Sequence, residues 1–235
     1  MSATAAGTSS ASFSPALFTF LRDLKENNDR GWFKANKARY DAVVLEAALA
    51  FIEDFEPHLH AISSHFVADP RPVGGSLFRI YRDTRFSKDK SPYKTHIGIH
   101  FRHELAKSAH APGFYLHLEP RQVFVGAGIW RPDTEPLARI RAAIAENPAR
   151  FERTIRAKSF VGIYHLGGDS LKRAPAGLDP EHPLIEELKR KDFIAMRSLD
   201  DKTACARGFL EDTAGTFATA GPFVHFLCDA TGVPF

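Results

Sequence analysis

YLHLEPRQVFVGAGIWRP, residues 115–132, holds two runs of alternating side chains around a short break. Together with Phe114, Leu116 and Leu118 alternate with Tyr115, His117 and Glu119. Beyond Pro120-Arg121, Val123, Val125, Ala127 and Ile129 alternate with Phe124, Gly126, Gly128 and Trp130. A period of two sends successive residues to opposite faces of a strand, so each run has one aliphatic face and one mixed face. The break is too short for a crossover, which makes the strands antiparallel neighbours. Upstream, Ile97, Ile99 and Phe101 alternate with His96, Gly98, His100 and Arg102, giving a third strand of the same character. Glycine weakens a strand interior unless something approaches the backbone closely. Gly98, Gly126 and Gly128 on the mixed face therefore predict a groove filled by a ligand or by a packed helix.

Helical periods flank this sheet. Ser14-Pro15 is a helix start, followed by Leu17, Phe20, Leu21 and Leu24 at helical spacing until Asn27-Asn28-Asp29 interrupts them. A longer helix is expected from about Arg30 to His60. The sheet is expected to begin near Leu77, with Leu77–Arg82 as a strand. After Trp130, helices are read around Leu137–Ile144 and over residues 149–156. A hairpin is expected between Ser159–Leu166 and Ser170–Arg173, then a helix from Asp179-Pro180. The last 35 residues read as helix broken near Gly221-Pro222. Helix, then consecutive antiparallel strands, then helix, is the order of an α+β fold, a mainly antiparallel sheet with helices from both chain ends packed on it.

Composition bounds the class. The chain has 235 residues, 44% hydrophobic and 25% charged, enough for one well-buried core. No apolar run reaches the roughly 18 residues that a bilayer span needs, so no membrane partner is expected. Residues 1–12, MSATAAGTSSAS, read as a disordered tail without the features of a secretory or transit peptide, leaving 13–235 as a single domain. Cys205 and Cys228 fit no metal or redox spacing, and two reduced thiols suggest a cytoplasmic protein.

Charge is concentrated in Ser76–Thr95, SLFRIYRDTRFSKDKSPYKT. Its six cations (Arg79, Arg82, Arg85, Lys88, Lys90, Lys94) outnumber two acids (Asp83, Asp89), in a chain whose formal net charge is only +3. Arginine offers a planar fork for carboxylate or phosphate and lysine a mobile point charge, so the cluster predicts an oxyanion site, with phosphate the favoured anion. The opposing reading has Arg82 with Asp83 and Lys88 with Asp89 neutralising one another in a rigid loop. Asp83, Asp89, Tyr93 and His96 are the titratable groups beside the cations and the candidate catalytic residues. His117 and Trp130, on the mixed sheet face, complete the ligand-binding candidates. His96, His100, His117 and Glu119 are of metal-ligating type, but their spacing is permissive, and chance placement on a solvated face is the better reading; no metal is assigned. No dinucleotide fingerprint, P-loop, HExxH or GxSxG occurs.

The segments NNDRGWFKANKARY (Asn27–Tyr40), FRIYRDTRFSKDKSPYKTHIG (Phe78–Gly98), YLHLEPRQVFVGAGIWRP (Tyr115–Pro132) and LKRAPAGLDPEHPLIEELKRKDF (Leu171–Phe193) resemble the conserved-hypothetical family DUF2461. The likeness covers about residues 13–228. Its specific core is RDxRFxKDKxPYK, Arg82–Lys94, from which the chain does not depart; in the Asn27–Tyr40 segment Gly31 stands where an acidic residue is common. The resemblance implies a soluble, mostly bacterial, single-domain protein and supplies neither activity nor cofactor. The favoured reading is binding of a phosphorylated or otherwise anionic small molecule, with or without catalysis. A nucleic-acid-binding module and a domain docking an acidic protein partner are the alternatives.

Overall fold

The alternating runs form a sheet whose aliphatic face is the core. A computed structural model describes residues 12–106 and 111–235, so the expected tail at 1–12 lies almost wholly outside the described residues. Strands β1 (Phe66–Val67), β2 (Ile97–His103), β3 (Gly113–Glu119), β4 (Gln122–Ile129), β5 (His165–Gly167) and β6 (Phe193–Leu199) make one sheet of order β1-β2-β3-β4-β6-β5. Every pairing is antiparallel. Between β3 and β4 the two-residue turn closes on the Glu119–Gln122 pair, with Arg121 at φ 67°.

Helices α1 (Pro15–Glu26), α2 (Arg30–Ala35), α3 (Lys37–Tyr40) and α4 (Glu46–Ile62) precede the sheet. Helices α5 (Thr134–Glu146), α6 (Pro148–Arg156), α7 (Lys158–Val161), α8 (Ile185–Leu188), α9 (Asp201–Ala204) and α10 (Phe209–Thr231) follow β4. From opposite ends of the chain, α4 and α10 meet over the aliphatic face. Phe55 stacks on Phe101 at 4.8 Å, Phe217 lies 4.9 Å from Phe114, and Phe55 meets Phe217 edge-on at 5.7 Å. Ile99, Phe101, Phe114, Leu116 and Val125 are wholly buried there. The α+β architecture with helices from both ends on one sheet follows directly.

Several local expectations are corrected. Leu77–Arg82 is not a strand but two isolated bridges, Leu77 to Ile99 and Tyr81 to Tyr93. Residues 76–78 extend the outer edge of β2, with His100 N–H donating to Ser76 and Phe78 N–H to Gly98. The chain then peels away and pairs with itself, Lys94 N–H donating to Ile80 and Arg82 N–H to Pro92. The helix expected over 30–60 is interrupted at Asn36 and passes through a π-helical turn at Asp41–Leu45. Residues 165–167 pair with β6, not with 170–173, and 158–161 are helical. The helix expected after Pro180 shrinks to Ile185–Leu188. By contrast α10 runs unbroken through Gly221-Pro222. Proline there forfeits one backbone bond, which the burial of Phe217, Phe223, Val224 and Leu227 outweighs. No helix among the described residues is long and apolar enough to cross a membrane.

Candidate functional site

The α1–α2 corner and the segment that peels off β2 together border a cavity of about 370 Å³, which reaches the sheet at His96, one residue before β2. Its lining joins Lys25 and Asn28, at the α1–α2 corner, to Arg82, Asp89 and Ser91, and to the run Tyr93–His96. One side chain holds the two walls together. The Asn28 amide donates to the Tyr93 carbonyl and accepts from the Tyr93 N–H, both at 3.0 Å. The Tyr93 ring stacks on Phe33 at 4.1 Å, which buries it and raises its phenol pKa. Tyr93 thus serves as an anchor.

Strand parity sets the groups around His96. Ile97 faces Leu118 across β2 and β3, so His96, one residue before β2, comes opposite Glu119, and His117 lies on the same face two residues away. The His96 and His117 rings are 4.5 Å apart. His117 Nε2 is 3.5 Å from Glu119 Oε2, and its Nδ1 is 3.0 Å from the Tyr115 hydroxyl. Thr95 donates to Glu119 Oε1 at 3.2 Å, and the Lys25 ammonium lies 3.8 Å from the same oxygen. Burial, reinforced by His117, pushes His96 down to about 4; burial likewise lowers His117 against the opposing pull of Glu119. Both imidazoles are neutral at pH 7, with a lone pair available on each ring.

The basic segment divides into cations at the cavity and cations away from it. Lys94, half-buried, donates to the Arg79 carbonyl at 2.9 Å and lies 5.4 Å from the Phe78 ring centre; burial lowers its pKa. Arg82 pairs with Asp89, which also accepts from the Ser91 N–H and hydroxyl and is held well below the usual carboxylate range. Asp83 takes the exposed Arg85 and is held down to about 2, chiefly by that guanidinium. The ion pairs therefore run Arg82–Asp89 and Arg85–Asp83, crossing the neighbour pairing read from the sequence. Acids so stabilised as anions are weak proton acceptors at neutral pH, which leaves them as organisers of the loop. Lys90 donates to the Thr84 carbonyl, while Arg79 and Lys88 are exposed.

Trp130 is not brought to this site. It lies beyond the Ile129 end of β4, whereas Glu119 pairs with Gln122 at the other end, seven steps of about 3.3 Å away. His100 sits opposite Tyr115, outside the His96–His117–Glu119 group. The glycines also read differently. At Gly98 a Cβ would meet the Tyr115 hydroxyl at 2.6 Å and the Phe78 ring at 3.0 Å, so side chains of the protein itself fill that space. Gly128, at φ +123°, lets the backbone pass the Phe193 carbonyl, which a Cβ would meet at 2.0 Å. Sequence reasoning missed Lys25, Asn28, Ser91 and Thr95. The Asn27-Asn28-Asp29 helix break was the available signal for the corner.

Fold and site define an α+β domain with a basic pocket set against a histidine-bearing sheet face. The chain belongs to the family described as Conserved hypothetical protein (DUF2461), whose profile matches residues 16–226. No curated protein matches it.

Proposed function

We propose that this protein binds a phosphorylated or otherwise anionic small molecule in the cavity between the α1–α2 corner and residues 82–96. The observation that carries the reading is the convergence of Lys25, Arg82 and Lys94, from two separate parts of the chain, on one concavity of small-molecule size. Partial burial of Lys94 strengthens any contact it makes with an anion, because the surroundings screen less than water does. The free thiols Cys205 and Cys228 support a reducing, cytoplasmic setting.

A second reading, single-stranded nucleic acid, is favoured by Phe86, 95% exposed with the Arg85 guanidinium 5.8 Å from its ring centre, an arrangement able to stack on a base. Thermal shift against phosphates, sugar phosphates, nucleotides and short oligonucleotides at two salt concentrations separates the two. A ligand at a hundredfold excess over its Kd adds about 2.7 kcal/mol, a rise of roughly 5–10 °C for a domain of this size. A salt-tolerant rise lost in Lys94→Ala and Arg82→Ala but kept in Phe86→Ala is expected. A rise with oligonucleotides alone that disappears with salt and in Phe86→Ala would transfer the assignment to nucleic acid.

A further inference from the structure

We propose that His96, His117 and Glu119 form a binding site for one divalent transition-metal ion of the zinc type, with coordination positions left open. The site stands on donor geometry alone and does not depend on the anion reading.

Two imidazole nitrogens and a carboxylate oxygen are the donor set such ions take when part of the coordination sphere is left to water or another ligand. Here one ligand atom from each residue falls within 4.8 Å of the others. Donors about 2.0–2.2 Å from a shared ion stand some 3.3–3.5 Å apart, so small side-chain rotations close the set. No other trio of histidine, cysteine or acidic donors among the described residues converges in this way.

The surrounding contacts orient the donors as metal ligands require. His117 Nδ1 faces the Tyr115 hydroxyl at 3.0 Å, which leaves Nε2 pointing at Glu119. An imidazole held at one nitrogen by a neighbouring oxygen and presenting the other is the usual supported ligand. Thr95 fixes Glu119 through Oε1, so that Oε2 is the oxygen turned to His117. The pleat supplies the rest: His117 and Glu119 are two apart on β3, and His96 enters from the adjacent strand at the matching register. His96 also lines the cavity, so one of the three ligands borders the same space as Lys94 and Arg82. Two neutral imidazoles and one carboxylate leave a bound divalent ion with a net charge near +1. Lys25, close to Glu119, opposes binding and is expected to lower the affinity.

The full chain, purified without a polyhistidine tag and stripped with a chelator, should take up about one equivalent of Zn²⁺ on equilibrium dialysis. Co²⁺ should give the visible absorption of a four- or five-coordinate nitrogen and oxygen site. His96→Ala with His117→Ala should abolish both signals, and Glu119→Gln should weaken binding. Tyr115→Phe should cost about tenfold to a hundredfold in affinity, as loss of a supporting contact does. His58→Ala with His225→Ala should change nothing. Circular dichroism and melting confirm that each variant is folded; should the double alanine variant fail to fold, Glu119→Gln and His96→Asn give the same reading. Uptake well below one equivalent, or uptake equal in the site variants and the native protein, overturns the proposal. Metal uptake without any anion-induced shift would uphold this site and defeat the anion reading; an anion shift in metal-free protein with no metal uptake would do the reverse.

Discussion

Two faces of one sheet are closed by different means. Over Ile99, Phe101, Phe114, Leu116 and Val125 lie α4 and α10, and burial there is complete. Over Gly98, Tyr115 and His117 lies a segment with little regular structure, fastened by isolated bridges and by the Asn28 amide. The helical side derives its strength from area removed from water, which no single contact controls. The loop side depends on a few directed contacts and can therefore hold polar groups beside an opening. It also becomes the face where single substitutions act locally.

Substitutions can break this contrast. The largest effect is expected on the helical side: Phe101→Ala removes the ring stacked on Phe55 and should cost about 3–5 kcal/mol in urea unfolding. Should Phe101→Ala cost less than about 1 kcal/mol, the two faces would not differ as argued. Gly98→Ala comes next, because its Cβ would meet the Tyr115 hydroxyl; about 1–3 kcal/mol is expected. Part of that loss should return in the double variant with Tyr115→Phe, and additive losses in a double-mutant cycle would show that the two positions do not share space. Asn28→Ala forfeits two hydrogen bonds, and a loss of about 1–3 kcal/mol should be accompanied by faster amide exchange confined to residues around Tyr93. Exchange accelerated evenly through the sheet would refute that confinement. The smallest perturbation is chemical. Burial pushes the Cys228 thiol, on α10, up to about 12, so a thiol reagent at pH 8 should modify Cys205 and spare Cys228 until the protein is denatured.

The strands β2, β3 and β4 were legible because each keeps strict alternation across at least three residues per face. The helices α1 and α5 were legible from caps and prolines at their starts; Asn147-Pro148, read as the end of α5, is also the cap and first residue of α6. β6 escaped notice. FIAMRSL follows the charged run Lys189–Asp192 without a glycine or proline at its start, and its identity as a strand comes from pairing with β4 and β5, about seventy and about thirty residues earlier. Leu77–Arg82 misled in the opposite direction, since its alternation reflects two short pairings with different partners. At the site, strand parity placed His96, His117 and Glu119 on one face, but only the register joined them while excluding His100. The helix break at Asn27-Asn28-Asp29 marked a corner at Lys25 and Asn28 but not its place beside the basic segment, because the contact from Asn28 to Tyr93 spans 65 residues.

That contact has a consequence for the ageing of the protein. A side-chain amide can donate to the Tyr93 carbonyl and accept from its N–H because it carries one group of each kind. Hydrolysis of Asn28 to aspartate keeps the shape and the acceptor but turns the donor into a second oxygen, charged and facing a carbonyl. A stored sample in which that one amide has hydrolysed would keep its helical core while the cavity wall lost its clasp. Faster amide exchange around Tyr93 in a stored sample, without loss of fold, would then be traced to the α1–α2 corner.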